Sequence, residues 1–574
     1  MRKKFVSGIL AVLMMTSGCS VIQTDIVTDD EQYQSGGEQQ EAGEQGIADV
    51  ASEYERMELD CIPSESVTLD VYSQLMEYNG VQTGWFADVL LKKFNVKLNY
   101  INNASDDLYD KLAATGDLGD IVIFGNDTEP YHSAINDGLL LNWEADGLLD
   151  KYGADIKANM AKAIEKNRKI SDGGVYGLGH DIAYESGEFG DFDYHPDIRW
   201  DLYEQIGSPQ VNEIEDYAAV LKQMKEVCPV SDSGKETYGV SLFSDWDGDM
   251  VMFVKSTCTN FFGQDEFGVG LYDVQNGTFQ GCLEKDGYYI RALRFYNELY
   301  RNGLLDPESR TQGYDACLED YRDGAAFFCI FSWMAAPQYN TVYHVADGKM
   351  MLPLAAANQN TMVYGLNENG GNRLWTIGSK TEYPELTMAV MNWLCTPEGK
   401  LTMEYGPKGI TWDYDINGNT CLINYDGGEA WGSGSPQFNN TTWTSNTRNP
   451  ESNGQTYNSS YWPNVIAQDS SEIEKRWKEY NGVTSVKEYL SSFNYSVCKP
   501  NTYSAGGKSE ELGAMWGQVT DCIKMGSWDA IYADSETEFD KIVDEMYREA
   551  VEKGYDECVQ WCVEEAAKRK AAEE

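Results

Sequence analysis

The stretch from residue 67 to residue 124 decides the fold. It holds a strand pattern at 67–72 (VTLDVY), a helical pattern at 85–94 (WFADVLLKKF), a second strand pattern at 96–101 (VKLNYI) and a fully apolar run at 121–124 (IVIF). The helical stretch repeats its apolar residues at spacings of three and four, which places them on one face. Strand–helix–strand repetition with a fully apolar strand predicts a parallel sheet buried on both faces, and hence an α/β fold.

Composition narrows the class of protein. The 574 residues include 44 Lys and Arg against 93 Asp and Glu, which gives a formal net charge of −49. This charge disfavours nucleic acid as a partner, because phosphate backbones are bound by basic side chains. Hydrophobic residues make up 42% of the chain, enough for a packed core, and the length allows roughly two to four domains.

The amino terminus has the pattern of an export signal. Basic residues at 2–4 precede an apolar run at 5–15, and the sequence TSGC at 16–19 follows. This arrangement predicts a secretory signal over residues 1–18. It also resembles the lipobox of bacterial lipoproteins, with Thr16 where Leu is usual. The resemblance implies cleavage before Cys19 and a diacylglycerol on its sulfur; the alternative is an ordinary secretory signal with an incidental Cys.

Residues 19–61 predict an acidic, disordered tether. The segment is rich in Gln, Glu, Gly, Asp and Ser, and Arg56 is the only basic residue between Lys4 and Lys92. Such a composition cannot bury enough apolar surface to order itself. A lipid at Cys19 and this tether predict a protein on the extracellular face of a bacterial cell membrane. The other 12 Cys are scattered, and we interpret them as free, buried thiols.

Three further segments carry a family resemblance. Residues 293–307 (LRFYNELYRNGLLDP), residues 320–328 (DYRDGAAFF) with the following Trp333, and residues 391–399 (MNWLCTPEG) lie in this order along the chain. Together they resemble family 1 of the bacterial extracellular solute-binding proteins, the receptors of ABC importers. The similarity is greatest to the large lipoprotein subgroup associated with oligosaccharide uptake.

The resemblance implies a two-lobed, periplasmic-binding-protein-like α/β fold with a hinge and a ligand cleft between the lobes. The first lobe would comprise residues 62–178 and about 374–420. The second lobe would comprise residues 179–373 and about 421–574. The resemblance also implies a monomer that delivers an oligosaccharide to ABC permease subunits, with no enzymatic activity and no cofactor.

Two other functions stay open at this point, a secreted glycan-active enzyme (a glycoside hydrolase or lyase) and a surface glycan adhesin without a transporter. The sequence contains no GxSxG, HExxH or P-loop motif. Residues 413–418 (DYDING) match the first half of a calcium loop, but Asn424 stands where a bidentate Glu is needed. The Asn417-Gly418 pair predicts a hairpin turn instead, and no metal site is expected.

Aromatic and short polar side chains are the natural candidates for sugar contacts. Sugars have flat C–H faces that suit Trp and Tyr, and hydroxyls that suit Asp and Asn. Trp333 is the first candidate, because it follows an apolar strand pattern at 325–331. The candidate ligand-binding residues are Trp85, Asn126, Asp127, Asp181, Tyr184, Trp246, Asp247, Trp333, Trp375 and Trp443.

Four of these candidates also have a structural alternative. Trp333 and Trp85 could belong to the core, Trp443 could pin a long loop to the body, and the acidic segment around Trp246 could be a solvated turn. The net charge of −49 predicts a neutral ligand, because a strongly negative body disfavours the approach of polyanions.

The anchoring prediction can be tested with Cys19→Ala. We expect the variant chain to be released into the medium, because stable attachment needs the doubled acyl chains that this sulfur would carry. Immunoblotting of cell and medium fractions measures the release. If cells retain the variant as well as they retain the unmodified protein, the lipobox interpretation is wrong.

Overall fold

A computed structural model describes residues 54–75, 78–103, 108–187, 189, 191–192, 194–423, 442–466 and 470–573. The predicted signal, Cys19 and the tether up to residue 53 lie outside the described residues. The chain divides into two compact units. Of the described residues, unit 1 holds 54–186 and 366–466, and unit 2 holds the rest.

The strands are short and are numbered in chain order. They are β1 (Val67–Ser73), β2 (Gly80–Val81), β3 (Val96–Asn102), β4 (Ile121–Phe124), β5 (Gly177–Gly179), β6 (Asp197–Arg199), β7 (Gln264–Phe267), β8 (Gly270–Asp273), β9 (Thr278–Gly281), β10 (Phe328–Cys329), β11 (Met351–Pro353), β12 (Asn360–Tyr364), β13 (Leu374–Ile377), β14 (Trp412–Tyr414), β15 (Thr420–Leu422) and β16 (Asn494–Cys498).

The helices connect and cover these strands. In unit 1 they span Trp85–Phe94, Leu108–Thr115, Glu129–Asn136, Leu148–Tyr152, Ala154–Asn159, Ala161–Ile170, Pro384–Leu394, Pro397–Tyr405 and Pro463–Ile466. In unit 2 they span Trp200–Gln205, Asp216–Val227, Met252–Phe262, Tyr288–Arg301, Tyr314–Arg322, Ala335–Tyr339, Val342–Ala346, Glu472–Asn481, Val486–Ser491, Glu510–Ile531, Glu536–Glu552 and Tyr555–Glu573. Short 3₁₀ turns occur at Ala145–Gly147, Pro307–Arg310 and Ser459–Tyr461.

Unit 1 is built on a six-stranded sheet in the order β2–β3–β1–β4–β13–β5. β1 pairs in parallel with both β3 and β4, which confirms the strand–helix–strand prediction. The sheet is nevertheless mixed, because β13 pairs antiparallel with β4 and β5. β13 returns from unit 2, so no helical crossover from a neighbouring strand fixes its direction as parallel. At the opposite edge β2 also pairs antiparallel, with β3, so the prediction of a parallel sheet is wrong at both edges.

Both faces of this sheet are buried. Alternating side chains of β4 enter separate apolar clusters, with Ile121 and Ile123 on one side and Val122 and Phe124 on the other. The helix Trp85–Phe94 covers the first of these faces with the apolar side chains that the sequence pattern placed together. A fully apolar strand at the centre of a two-faced sheet is what its sequence predicts.

Unit 2 contains three small sheets. β10, β6 and β11 form an antiparallel sheet, as do β7, β8 and β9, while β12 pairs in parallel with β16. The long helices Glu510–Ile531, Glu536–Glu552 and Tyr555–Glu573 end the chain. No helix among the described residues is both long and apolar enough to cross a membrane.

The division into units differs from the predicted lobe boundaries in three ranges. Residues 179–186 and 366–373, and likewise residues 442–466, belong to unit 1 and not to the second lobe. The backbone explains the difference, because the Ile182 amide donates to the Thr442 carbonyl at 2.7 Å. The Trp443 indole also donates to the Cys395 carbonyl at 2.6 Å.

The segment that resembles a calcium loop forms a hairpin, as the Asn417-Gly418 pair predicts. β14 and β15 pair antiparallel on either side of it. The Asp415 carboxylate closes the turn by accepting hydrogen bonds from the backbone amides of Asn417 and Asn419, at 2.8 and 2.9 Å.

Candidate functional site

Three backbone segments of unit 2 run in parallel and end at one edge. Tyr238 forms a parallel bridge with Ala326, and Val240 forms a parallel bridge with Leu305. The Tyr238 amide donates to the Ala325 carbonyl at 2.7 Å, and the Val240 amide donates to the Leu304 carbonyl at 3.0 Å. The loops that follow these three segments therefore start at a shared carboxyl edge, which is where open α/β sheets place their ligands.

Each of these three loops supplies one half-buried aromatic ring. Trp246 follows the first segment, Tyr314 follows the second and Trp333 follows the third. The Trp246 ring lies 4.4 Å from the Tyr314 ring and 6.2 Å from the Trp333 ring, centroid to centroid. The Trp246 ring is inclined by 34° to the Tyr314 ring and by 27° to the Trp333 ring. We call this group the aromatic platform.

A buried aromatic layer supports the platform. Phe243 meets the rings of Trp246 and Tyr314 edge-on at 5.0 and 5.1 Å. Phe331 lies 5.1 Å from Trp333, and Phe253 lies close to both Phe243 and Phe331, at 5.4 and 5.3 Å. The three phenylalanines are at most 2% exposed. Since the rings below are fixed by packing, the platform is held in place before any ligand arrives.

The carboxylates of the loop around Trp246 hold that loop to the body of unit 2. Asp245 accepts a hydrogen bond from the Tyr314 backbone amide at 2.9 Å. Asp247 accepts from the Met252 amide at 2.8 Å and from the Trp528 indole at 2.7 Å. Burial raises the pKa of Asp247, and these two donors oppose that rise. The loop is thus a fixed element rather than the solvated acidic turn that the sequence left open.

Two carboxyl groups, Asp306 and Asp320, lie close to the Ser241 hydroxyl, and Asp320 belongs to the helix that begins with Tyr314. The Ser241 hydroxyl oxygen lies within hydrogen-bonding distance of both carboxyl groups, 3.0 Å from Asp306 and 2.9 Å from Asp320, and its single hydrogen is donated to one of them. The Gln312 amide donates to the Ser241 hydroxyl at 2.7 Å. Burial, and then the neighbouring Asp306 carboxylate, raise the pKa of Asp320 to about 6. The Lys235 ammonium, 3.8 Å from Asp320, acts in the opposite direction.

Three predicted binding residues lie in the core of unit 1. Trp85, Trp375 and Trp443 are 4%, 1% and 2% exposed. Trp375 lies on β13, opposite Ile123 of β4 and Leu178 of β5. All three rings pack in the core of unit 1, which is the alternative that the sequence left open for Trp85. We therefore do not include them in the candidate site.

Asn126 and Asp127 follow β4 at the carboxyl edge of the unit 1 sheet. Asn126 is exposed and its side-chain oxygen accepts from the Thr128 amide at 3.1 Å. Asp127 is 1% exposed and lies 4.0 Å from the Lys166 ammonium. Lys166 in turn donates to the Gly370 carbonyl at 3.1 Å, so this buried charge pair helps to hold the segment that returns from unit 2.

Asp181 and Tyr184 lie on the chain segment that leaves unit 1. Asp181 adopts a positive φ of 48°, and its carboxylate lies 3.5 Å from the His180 ring. Tyr184 is half-buried, 6.0 Å from the Trp443 ring and 5.0 Å from the Arg448 guanidinium. The binding roles of these two residues, and of Asn126 and Asp127, stay predictions.

Of the predicted residues, the structure thus brings together Trp333, Trp246 and Asp247. It adds Tyr314, which no sequence pattern separated from the other tyrosines. The signal that could have found it is positional, because Tyr314 follows the GLLDP stretch at 303–307 and begins a helix after Gly313. Within the described ranges, no three His, Cys, Asp or Glu side chains converge as metal ligands would.

Comparison with solved structures identifies the fold. The alginate-binding protein AlgQ2 without calcium ion matches at a TM-score of 0.59 and 17% identity, covering 88% of this chain and 99% of that one. The S. pneumoniae ABC-transporter substrate-binding protein FusA in complex with kestose matches at 0.57 and 16%, covering 88% and 100%. An extracellular solute-binding protein from Bifidobacterium longum subsp. infantis matches at 0.58 and 14%, covering 88% and 98%.

The chain therefore has the α/β fold of the two-lobed solute-binding proteins of ABC transporters. No protein-family model matches the sequence, and no curated protein does. The identity to the solved structures is low, so the likeness shows the fold, and the function has to be argued from the residues of this chain.

The carboxyl pair at Ser241 gives a pH prediction for Asp320→Asn. Because the folded-state pKa of about 6 exceeds the usual 3.8, the folded protein favours protonated Asp320. The stability that protonation contributes is complete below about pH 4 and is lost as pH rises through 6. The variant should therefore be more stable than the unmodified protein at pH 7.5, with no such gain at pH 4.

Urea denaturation at the two pH values measures this difference. We expect the gain at pH 7.5 to be about 1–2 kcal/mol, after allowance for solvent screening of a side chain that is 19% exposed. Asp315→Asn, an exposed carboxylate on the same helix, is the matched control. An equal effect of Asp320→Asn at both pH values would contradict a raised pKa of Asp320.

Proposed function

We propose that this protein is a lipid-anchored extracellular solute-binding protein that captures a carbohydrate and delivers it to the permease of an ABC importer. The observation that carries the proposal is the aromatic platform at a carboxyl edge of unit 2. The fold supports the transport class, and the amino-terminal pattern ending at Cys19 supports lipid anchoring. The resemblance to family 1 and to its oligosaccharide subgroup is part of this proposal.

The platform suits a sugar for physical reasons. Three half-buried rings offer apolar area at one edge of unit 2, and a pyranose or furanose offers a flat C–H face that can pack on an aromatic ring. Tyr and Trp combine an apolar ring with one polar group, the Tyr hydroxyl or the Trp indole N–H. Ligand sites are commonly built in this way, from mostly apolar surface with a few polar groups. The nearby Ser244 hydroxyl and Asp247 carboxylate are groups that can meet sugar hydroxyls.

We propose a neutral oligosaccharide as the ligand. Two of the similar structures are described with different carbohydrates, alginate for AlgQ2 and kestose for FusA, so the fold does not decide the ligand charge. The charge of this chain does bear on it, because a net −49 disfavours a polyanion. Calorimetric titration with neutral oligosaccharides and with polyuronates tests this, and a tight, salt-sensitive affinity for a polyuronate would contradict it.

The capture function also predicts that the ligand is released unchanged. Chromatography of a neutral oligosaccharide library after incubation with the protein measures this. Products of cleavage would favour the glycan-active enzyme in place of the transport receptor.

Trp333→Ala tests the platform directly. Removing one of the stacked rings should cost about 2 kcal/mol of binding free energy, or roughly a thirtyfold loss of affinity for the neutral oligosaccharide. The ring is only half-buried, so we expect the fold to survive, as judged by circular dichroism and the melting temperature. Titration calorimetry gives the affinity.

The matched control is Trp561→Ala. Trp561 is also half-buried in unit 2, but it packs at 5.3 Å against Trp516 and not in the platform. It should lose stability without losing ligand affinity. A Trp333→Ala variant with a much lower melting temperature and unchanged affinity would show that Trp333 is a packing residue only.

A further inference from the structure

The helix Glu510–Ile531 holds the loop that carries the first platform ring, although the helix supplies none of the three rings itself. The Trp528 indole N–H donates to the Asp247 carboxylate of that loop at 2.7 Å. The Trp516 indole N–H donates to the Asp249 carboxylate of the same loop at 2.9 Å. One helix therefore fixes two neighbouring acceptors of the loop.

A third link joins the same helix to the end of this loop. The Val251 backbone amide donates to the Tyr289 hydroxyl at 3.2 Å. The hydroxyls of Tyr289 and Ser527 lie 3.0 Å apart and share a hydrogen bond. Ser527 comes directly before Trp528 in the chain. The position of the loop thus depends on the position of the helix.

The helix itself is fixed in the body of unit 2. The Asn297 side-chain amide donates to the carbonyls of Ile531 and Ala533 at the carboxyl end of the helix, at 3.1 and 2.8 Å. Trp516 and Trp528 are 7% and 4% exposed, so packing restricts both indoles. A group held on a packed helix is placed more precisely than a group on a loop.

An indole and a carboxylate form a directional pair. The indole has one N–H donor and no acceptor, and the ionised carboxylate only accepts. A hydrogen bond to a charged acceptor is stronger than a bond between neutral groups. Each of these two bonds can therefore hold one point of the loop in one place.

The bond from Trp528 also affects the protonation of Asp247. Burial raises the pKa of Asp247. The Met252 amide and the Trp528 indole lower this pKa by hydrogen bonding, and the ammonium groups of Lys255 and Lys524 lower it by charge. Removal of the Trp528 N–H takes away one of the two hydrogen bonds that favour the ionised carboxylate.

The charged and titratable groups that face Asp247 come from the elements packed around it. They are Lys255, Tyr289, Arg310 and Lys524. The three cations have carboxylate partners of their own, Glu266 for Lys255, Asp529 for Arg310 and Asp521 for Lys524. Tyr289 stays neutral, because burial raises the pKa of its phenol well above the usual value.

We propose that Trp516 and Trp528 are positioning residues of the carbohydrate site, which set ligand affinity through the loop that carries Trp246. The inference rests on the proposed carbohydrate-binding function and adds to it a dependence on the helix Glu510–Ile531. The role needs no contact between either indole and the ligand.

The test uses three Trp→Phe variants, each of which keeps an aromatic ring and loses the indole donor. Neutral gluco-, manno- and fructo-oligosaccharides of several lengths are titrated into the unmodified protein by calorimetry, and the series that binds is titrated into the variants. Trp516→Phe and Trp528→Phe should each lose affinity about tenfold, because each loses a hydrogen bond to a charged acceptor.

Trp477→Phe is the matched control. Trp477 is 1% exposed in unit 2, and its indole donates to the Pro353 carbonyl at 3.0 Å. This variant loses the same donor and the same ring volume as the other two, at a place that holds no platform loop. It should lose stability and keep its ligand affinity.

Two further measurements separate positioning from a general loss of stability. The first is the pH dependence of affinity. Because Trp528→Phe raises the pKa of Asp247 further, affinity should fall at a higher pH on acidification than in the unmodified protein, and Trp516→Phe should not shift this pH. The second is hydrogen–deuterium exchange of the ligand-free protein, which should be faster at residues 244–251 in both variants but not in Trp477→Phe.

The outcomes separate this inference from the proposed function. If an oligosaccharide binds and both variants keep its affinity, or if Trp477→Phe loses as much affinity as they do, the positioning role is wrong and the carbohydrate-binding function stands. If no oligosaccharide binds the unmodified protein, the proposed function is wrong and the positioning role is overturned with it. Circular dichroism establishes that each variant is folded, and Trp516→Phe alone decides the affinity and exchange tests if Trp528→Phe is not.

Discussion

The parallel backbone pairing at the centre of unit 2 is the constraint on which the candidate site depends. The pairs Tyr238–Ala326 and Val240–Leu305 align three segments that are far apart in sequence. Aligned segments have their carboxyl ends at one edge, so the loops carrying Trp246, Tyr314 and Trp333 start together. No contact among these rings could form if one segment were reversed or shifted, because its loop would then emerge elsewhere.

Packing beneath the three rings fixes their positions. Phe243, Phe253 and Phe331 hold the platform from below, and Asp245 holds the Trp246 loop to the start of the Tyr314 helix. Preorganisation of this kind lowers the entropy that a ligand must overcome on binding. Asp245 and Asp247 at this edge thus act as acceptors of internal hydrogen bonds that fix the Trp246 loop.

The sequence predicted much of unit 1 and less of unit 2. The helix Trp85–Phe94 and the strands around it were predictable because their apolar periods are local and strong. The placement of residues 442–466 in unit 1 was not, because Asn- and Ser-rich loops carry no period and their position depends on single contacts such as Trp443 to Cys395. The burial of Trp375 was equally hidden, since the mixed direction of β13 follows from the return of the chain and not from its own residues.

Part of the site could also be read from the sequence. The position of Trp333 was predictable because the residue follows an apolar run at 325–331. Within that run the structure assigns Phe328–Cys329 to a strand of a sheet. The preceding residues, Ala325 and Ala326, pair with Tyr238. Tyr314 was not predictable, because its contact with Trp246 depends on the pairing of Val240 with Leu305, and pairing between distant segments leaves no local pattern.

Hydrogen–deuterium exchange with and without a saturating neutral oligosaccharide tests the central claim most directly, that carbohydrate binds on the aromatic platform. Binding should slow exchange in the three loops that carry the rings, at residues 242–250, 311–317 and 330–336, and leave the helix Glu536–Glu552 unchanged. Saturable binding of the oligosaccharide with no protection in any of these three loops would contradict the account.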